Sequence, residues 1–224
     1  MSTRSIDYMD AVDHLPNGAS LVFQDVSWED YESLVEDLWD RPGLRVTYDE
    51  GRLEIMSPLP EHEEYKECIS RMVYLLSDEL DINVEPRGSA TWKRKKLKKG
   101  TEPDTCFYVA ANADAIMGRR KIDLDVDPPP DIAVEIDSTH ESLSKFPVYA
   151  ALGVPELWRY DCRRSRAFIY EFRDESYVEI SASRFFPILT GSALADFIEQ
   201  SKTQGHKAAL SAFRKWIKQT QKNA

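Results

Sequence analysis

Two acidic motifs contain the residues of this chain best suited to chemistry. Glu102-Pro103-Asp104 stands at the start of one apolar segment, and Glu135-Ile136-Asp137 closes another. Carboxylates on neighbouring strands can share one or two divalent cations, because hard cations take oxygen ligands and need negative charge around them. Most Asp and Glu side chains are simply solvated. Glu135 directly follows Ile132-Ala133-Val134, however, so we expect it to be partly buried and to need a cation or a hydrogen-bond donor.

A run of basic residues offers a second kind of chemistry, contact with phosphate groups. It begins with Lys93, Arg94, Lys95 and Lys96 and ends at Lys99. Acidic residues are absent from the sequence between positions 87 and 99, although the whole chain carries a formal charge of −10. Such a run close to the first acidic motif can follow a nucleic-acid backbone, or it can be a solvated hairpin tip that protects a sheet edge. The sequence leaves both interpretations open.

Composition limits the class of protein that can carry these motifs. The chain has 224 residues, of which 42% are hydrophobic and 30% charged, as expected for one globular domain with its own core. The net charge argues against a protein that coats nucleic acid through bulk electrostatics. The apolar runs are shorter than the roughly 20 residues of a membrane span, and the polar start lacks the apolar centre of a signal peptide. We therefore expect a cytoplasmic protein, with its three cysteines reduced.

The elements that position the motifs follow from the spacing of apolar residues. Ser27 and Asp30 resemble a capping box at the start of a first helix, and residues 44–56 alternate around Gly51 as a β-hairpin does. A single apolar face over residues 61–80 predicts a second helix. The remaining pattern predicts strands at 82–85, 89–95, 104–110, 130–137, 156–161 and 167–172, a polar loop at 111–129 and a helix at 139–152.

This order predicts an α/β domain in which helices pack on a mixed sheet. We assign residues 21–198 to that domain and residues 1–20, which lack periodicity, to a loosely held N-terminal arm. Residues 199–224 are assigned to a C-terminal amphipathic helix. Its apolar face consists of Leu210, Phe213, Trp216 and Ile217.

Four motifs in a fixed order give the chain a specific resemblance. They are G-R-L-E-I-M-S-P at 51–58, E-P-D-T-C-F-Y-V at 102–109, P-P-P-D-I-A-V-E-I-D at 128–137 and K-F-P-V-Y-A-A-L-G-V-P-E-L-W-R-Y-D at 145–161, with His62 after the first. Together they resemble the Uma2 (Uma-two) family of restriction-endonuclease-like proteins, within the PD-(D/E)XK nuclease superfamily. The resemblance covers residues 22–190 without large gaps.

The resemblance implies a restriction-endonuclease-like mixed β-sheet flanked by α-helices. Asp104 matches the acid of the family's PD pair, and Glu135 matches the acid of its (D/E)XK element. These two residues are thereby implied to be catalytic and to bind Mg²⁺ or Mn²⁺. The implied function is that of a metal-dependent endonuclease, which hydrolyses the phosphodiester bonds of DNA with a metal-activated water.

The chain departs from the superfamily pattern two residues after Glu135, where Asp137 stands in place of lysine. Lys145 and Tyr149 match a K-x-x-x-Y arrangement that takes this place in the family. Spacing alone favours a solvated helix lysine, whereas the resemblance favours a Lys145 that orients the water or stabilises the transition state. His62, also a candidate catalytic residue, either positions a phosphate or transfers a proton, or it forms a hydrogen bond that shapes the pocket.

Two hypotheses therefore compete. A metal-dependent endonuclease acting on DNA is favoured by the retention of Asp104, Glu135 and Lys145. A degenerate member that binds nucleic acid or a protein without cleaving is favoured by Asp137 and by the net charge. Convergence of the first three side chains in a structure is the observation that separates the two.

We also predict a homodimer. The family resemblance suggests paired subunits, and the apolar residues of the 167–172 strand and Trp216 offer surface beyond the needs of one small core.

Overall fold

A computed structural model describes residues 4–38, 43–138 and 142–223. Its helices are α1 (Arg4–Asp13), α2 (Trp28–Asp37), α3 (Pro60–Leu80), α4 (Ala111–Ile116), α5 (Phe146–Leu152), α6 (Gly191–Gln204) and α7 (His206–Asn223). Its strands are β1 (Ser20–Phe23), β2 (Arg45–Asp49), β3 (Arg52–Met56), β4 (Val84–Pro86), β5 (Trp92–Arg94), β6 (Lys99–Thr101), β7 (Thr105–Val109), β8 (Ile132–Asp137), β9 (Glu156–Asp161), β10 (Arg166–Arg173) and β11 (Ser176–Ile180). Two 3₁₀ turns, Lys95–Leu97 and Ser142–Lys145, complete the elements.

The strands form two sheets. A six-stranded sheet has the order β11-β10-β9-β8-β7-β4, and a five-stranded sheet has the order β1-β3-β2-β6-β5. In the larger sheet β8 and β9 pair in parallel, whereas β7 and β8 pair antiparallel. The predicted mixed sheet with flanking helices is therefore confirmed, with a second, antiparallel sheet beside it.

Alternation along β7 and β8 explains where their acidic residues point. Ile132, Val134 and Ile136 of β8 enter a core formed with α3, α6 and α7. Ala133 faces the opposite side, in a core shared with α5. Because side chains alternate across a strand, Glu135 lies on the same side as Ala133, towards α5. Asp104, two residues before Cys106 of the same core, belongs to that side as well.

Strand β8 is buried on both faces because helices cover both. All six of its residues are buried. This burial explains why the strand is a nearly continuous apolar run in the sequence, with charge confined to its last part.

The terminal segments are more ordered than the sequence indicated. The predicted N-terminal arm contains α1, whose Tyr8 and Val12 are buried beside α2 and the smaller sheet. At the other end two helices replace the single predicted one, and α6 crosses the predicted boundary after residue 198. Ile198 and Phe213 share the core of the larger sheet, so both helices pack on the central domain.

Several smaller elements, β1 among them, were not predicted. The segment 111–129 was predicted to be a polar loop, but it contains α4, a helix of 6 residues that is too short to show clear periodicity. Strand β11 lies at the edge of the larger sheet, where little of it is buried, so its residues alternate only weakly between apolar and polar. Strand β6 has 3 residues, too few to show a pattern. The predicted helix from residue 139 begins outside the described residues. Its described part is a 3₁₀ turn followed by α5, with Pro147 in the first turn, where a missing N–H is tolerated.

No helix among the described residues is both long and apolar enough to span a membrane.

Candidate active site

Asp104 and Glu135 face each other across neighbouring antiparallel strands. Thr105 pairs with Val134 and Cys106 with Ala133, so the same register places Asp104 opposite Glu135. The backbone N–H of Asp104 donates to the Val134 carbonyl at 3.1 Å, which continues the ladder by one step. Side chains opposite each other on one face are close neighbours. The two carboxylates, 1% and 3% exposed, therefore share one buried site.

The Glu135 carboxylate is held by two residues of the following turn and helix. Lys145 Nζ donates to Glu135 Oε2 at 2.8 Å, and the Tyr149 hydroxyl donates to Oε1. Lys145 ends the 3₁₀ turn and Tyr149 lies one helical turn later in α5, so the spacing of four residues aims both at one acid. Lys145 is 6% exposed, and it is therefore not the solvated helix lysine that spacing alone favoured.

The charged groups of this cluster change one another's pKa values. Burial raises the pKa of Glu135 to about 7, the Lys145 ammonium opposes the rise and the Asp104 carboxylate adds to it. Burial on its own would lower the pKa of Lys145, but Glu135 and Asp104 outweigh it and raise that pKa above its ordinary value. Lys145 is therefore an ammonium at neutral pH, whereas Glu135 titrates near neutrality.

A buried chain of hydroxyls supports Glu135 from behind. The Thr101 hydroxyl lies close enough to Tyr149 to lower the pKa of that tyrosine, and the Thr101 and Thr47 hydroxyls share a hydrogen bond at 3.0 Å. A tyrosine hydroxyl has one proton, and Tyr149 donates it to Glu135, so towards Thr101 the Tyr149 oxygen can only act as an acceptor. Burial raises the pKa of Tyr149 well above its ordinary value, which keeps that proton in place. The chain connects the smaller sheet to Glu135 of the larger one.

The two oxygens of Asp104 differ in their partners. The Ile136 N–H donates to Oδ2 at 2.8 Å. Oδ1 is buried and has no hydrogen-bond partner among the described residues, and its nearest ion-pair partner is Arg45, whose Nε lies 3.6 Å away. Asp104 thus presents to the site one carboxylate oxygen that accepts no hydrogen bond from a described residue.

His62 lies in the first turn of α3, beside this cluster. Its Nε2 shares a hydrogen bond with the Ser138 hydroxyl, and its side chain is nearly buried at 3% exposure. Burial lowers the pKa of His62, and the Asp104 carboxylate opposes that change. His62 is therefore a neutral imidazole at neutral pH. Its Nδ1 has no hydrogen-bond partner among the described residues.

Asp137 is engaged elsewhere. Its carboxylate forms a buried ion pair with the Arg159 guanidinium and accepts the Ser142 N–H at 3.0 Å. Burial raises the pKa of Asp137, and Arg159 opposes the rise. The position two residues after Glu135 therefore holds a structural ion pair, while the ammonium group of the cluster comes from Lys145.

The basic run is largely paired with acidic residues of the same chain. Lys93 Nζ lies 3.0 Å from Glu32, and Lys95 Nζ lies 3.5 Å from Glu29, both on α2. Lys99 pairs with Asp49, and Arg94 Nε donates to the Leu124 carbonyl. Lys96 and Lys98 are exposed and form no ion pair with a described residue. The structure thus leaves two of these cations directed at solvent.

Sequence reasoning missed Arg45 and the hydroxyl chain. Arg45 and Thr47 are the polar members of an alternating strand, and the pattern indicated a solvent-facing side. In the structure both are buried. Thr101 stands between Gly100 and Glu102, and Arg45 directly precedes Val46. Neither context signals burial, because what buries these side chains is contact between parts of the chain far apart in the sequence.

The donor set fits a small divalent cation. Within the described residues no cluster of three or more His, Cys, Asp or Glu side chains is arranged to hold a metal ion. Mg²⁺ does not require such a cluster, because it keeps several waters and is often bound by one or two carboxylates together with substrate phosphates. The free oxygen of Asp104, opposite Glu135, meets that lower requirement.

Comparisons with known proteins agree on the family and the fold. The model of the Uma2 family, described as "Putative restriction endonuclease", matches residues 28–199. A crystal structure described as a putative nuclease belonging to DUF820, from Anabaena variabilis ATCC 29413, has a TM-score of 0.53 and 16% sequence identity. The match covers 77% of this chain and 99% of that one, and at this identity it shows a shared fold. No curated protein matches the chain.

Proposed function

We propose that this chain, which belongs to the Uma2 family, is a metal-dependent endonuclease that hydrolyses the phosphodiester bonds of DNA. The observation that carries the proposal is the opposition of Asp104, which directly precedes β7, and Glu135 of β8, with the Lys145 ammonium on Glu135. Paired acids beside a buried cation suit the stabilisation of charge on a reacting phosphate. The fold shared with the DUF820 protein supports the proposal.

Asp104 and Glu135 are the residues that would hold Mg²⁺ or Mn²⁺. When bound, such a cation lowers the pKa of a coordinated water and neutralises charge on the phosphate. Asp104 would contribute its free Oδ1, because Oδ2 is committed to the Ile136 N–H. Glu135 would contribute an oxygen already oriented by its two hydrogen-bond donors.

The other residues hold protons and charge in place. Lys145 stays an ammonium and donates towards the water or the phosphate oxygens, which stabilises the negative charge of the transition state. Tyr149 fixes the orientation of Glu135. His62, neutral and close to Asp104, provides a nitrogen that can accept a hydrogen bond from water or donate one to a phosphate, depending on its tautomer.

A cleavage assay tests the proposal. The protein is incubated with single-stranded, double-stranded and branched DNA, with Mg²⁺, with Mn²⁺ and with EDTA. We expect cleavage that requires the divalent cation and that is lost in Asp104→Asn. This substitution keeps an oxygen that can accept the Ile136 N–H but removes the charge that a cation needs.

The matched control is Asp78→Asn, which changes an exposed carboxylate on α3. It should cleave as the wild type does. Equal cleavage by Asp104→Asn and Asp78→Asn would assign the activity to a contaminant and contradict the proposal.

A second candidate function is a binding module that has the fold but does not cleave. It is favoured by the observation that both oxygens of Glu135 are already occupied by Lys145 and Tyr149. DNA binding without cleavage, and without uptake of Mn²⁺ in calorimetry, would favour this candidate.

The homodimer stays a prediction. Trp216 stacks on Phe213 of its own chain, with 5.3 Å between the ring centroids, so this helix offers less apolar surface to a partner than the sequence indicated.

A further inference from the structure

Arg45 is a buried cation that borders both the Asp104 carboxylate and open cavities. We infer that Arg45 is a phosphate-binding residue, which pairs with Asp104 in the metal-free protein and turns to a nucleic-acid phosphate when a divalent cation takes Asp104. The inference rests on the proposed function and extends it to a residue outside the acidic and lysine positions of the nuclease motifs.

The contacts of Arg45 leave its guanidinium partly unsatisfied. Nη1 donates to the Leu44 carbonyl at 3.0 Å, and Nη2 donates to Glu63 Oε1 at 3.2 Å. Nε, which faces Asp104 Oδ1 at 3.6 Å, has no hydrogen-bond partner among the described residues. Arg45 is 5% exposed, and a guanidinium carries five N–H donors in a planar fork that matches phosphate oxygens. A buried arginine with donors to spare is suited to receive an anion.

Two cavities meet at Arg45. One, of about 480 Å³, is also lined by Ser57, Glu63 and Lys66. The other, of about 370 Å³, is also lined by Arg87 and Glu102. Both volumes lie in the range of ligand pockets, and both cavities have a basic side chain on their wall besides Arg45. A nucleic-acid strand that follows this cleft would bring a phosphate to the guanidinium beside Asp104.

A divalent cation and Arg45 compete for the same carboxylate, because each can supply the positive charge that Asp104 needs. In the metal-free protein Arg45 supplies positive charge to Asp104, whose Oδ1 it faces. A divalent cation at that oxygen supplies the charge instead and repels the guanidinium, because like charges at short range in a buried site interact strongly. Arg45 then keeps Glu63 on Nη2, and the Nε that faced Asp104 is left for a phosphate in the cleft. Arg45 should therefore weaken metal binding but strengthen nucleic-acid binding.

Two binding measurements test these opposite effects, and neither depends on turnover. Calorimetry measures Mn²⁺ affinity without nucleic acid. Fluorescence anisotropy measures the affinity of a labelled single-stranded DNA oligonucleotide in Ca²⁺. We expect Arg45→Gln to bind Mn²⁺ several-fold more tightly and the oligonucleotide about tenfold more weakly. The slope of log affinity against log salt should fall by about 0.7, the loss of one contact to a single strand.

Arg45→Lys and Arg52→Gln make the test specific. Arg45→Lys keeps the positive charge but loses the planar set of donors that binds a phosphate through two hydrogen bonds. It should therefore keep the slope of log affinity against log salt and bind the oligonucleotide with intermediate affinity. It also carries the test if Arg45→Gln fails to fold. Arg52, half-buried on the neighbouring strand β3, pairs with Glu54 at 2.8 Å, and Arg52→Gln should bind Mn²⁺ and DNA as the wild type does.

The inference and the proposed function can fail separately. If the wild type takes up no Mn²⁺, the nuclease proposal fails, and unchanged oligonucleotide affinity in the Arg45 variants would overturn the inference in addition. If the wild type binds Mn²⁺ but Arg45→Gln and Arg45→Lys both bind the oligonucleotide normally, the inference is overturned and the nuclease proposal stands.

Discussion

Arg159 stands opposite Glu135 in the register of the parallel strands β8 and β9, yet its guanidinium pairs with Asp137. Both partners of this ion pair are nearly buried, at about 6% side-chain exposure. The pair occupies the position where the PD-(D/E)XK pattern would place a lysine. A cation for Glu135 therefore has to come from another element, and Lys145 at the end of the 3₁₀ turn supplies it.

The first prediction concerns the stability that this pair provides. Asp137→Ala removes the carboxylate that forms this buried ion pair, although the Arg159 guanidinium keeps Asp161 at 4.0 Å. Breaking a buried ion pair by removing one partner costs about 3 to 5 kcal/mol. Urea unfolding measures this loss. Glu67→Ala, which breaks an exposed pair with Arg71, is the control and should change the free energy of unfolding by less than about 1 kcal/mol. Equal losses in the two variants would show that the buried pair is not stabilising.

The second prediction separates the lysine from the acids. Lys145→Ala should leave Mn²⁺ binding in place, because the carboxylates remain, and should lower the cleavage rate about 10²- to 10⁴-fold, the range for one lost electrostatic or proton-transfer group. Single-turnover cleavage and calorimetry on the same preparation measure the two effects. Lys215→Ala, at an exposed lysine on α7, is the control for charge alone. Wild-type cleavage by Lys145→Ala would assign Lys145 to structure rather than chemistry.

The third prediction is a pH dependence of stability. The pKa of Glu135 rises from its ordinary value of 4.5 to about 7 in the folded protein. The folded state therefore holds this proton more tightly than the unfolded state, so the contribution of Glu135 to stability is fully present below pH 4.5 and is lost as pH rises to about 7.

Comparison with Glu135→Gln isolates this contribution from other titrating groups. The variant has no carboxyl group at this position, so relative to the wild type it should gain stability between pH 4.5 and 7, by about 3 kcal/mol at most. Urea unfolding in steps of pH measures the difference. A constant difference across this range would mean that the pKa of Glu135 is not raised.

Sequence and structure agree where local pattern decides the outcome. The strand that delivers Glu135 was predicted from its apolar run, and the helix that begins after Ser27 was predicted from capping and helical spacing. The structure has β8 and α2 there. Burial of Arg45 and Thr47 could not be predicted, because both occupy the polar positions of an alternating strand. Arg45 is covered by Asp104, at the start of β7 in the larger sheet, and by Glu63 of α3, and such docking depends on contacts between residues far apart in the sequence.

The fourth prediction tests the hydroxyl chain behind Glu135. Tyr149→Phe removes the donor to Oε1, so the ionised carboxylate loses a stabilising hydrogen bond and the pKa of Glu135 should rise further. The pH at which Mn²⁺ affinity reaches half its plateau should move upwards. Tyr177→Phe, which removes a hydroxyl bonded to the Val154 carbonyl, is the control and should leave that midpoint unchanged. An unshifted midpoint in Tyr149→Phe would show that Tyr149 only fills space.

The last prediction concerns the basic run, for which the sequence left two interpretations open. Glutamate at Lys93 and Lys95 would face Glu32 and Glu29 across existing ion pairs, so such changes would disturb the docking of α2 as well as any DNA contact. Lys96 and Lys98 are exposed and avoid that problem.

We expect Lys96→Gln together with Lys98→Gln to leave the thermal midpoint unchanged and to weaken binding of double-stranded DNA. The slope of log affinity against log salt should become shallower by close to two units, since each phosphate contact contributes about 0.9. Lys207→Gln together with Lys215→Gln, at exposed lysines of α7, is the matched control, which removes the same charge from another face of the chain. If both double variants change the slope equally, the run acts only through net charge. If neither changes it, the run serves solubility, and the path of the DNA lies through the cleft at Arg45 alone.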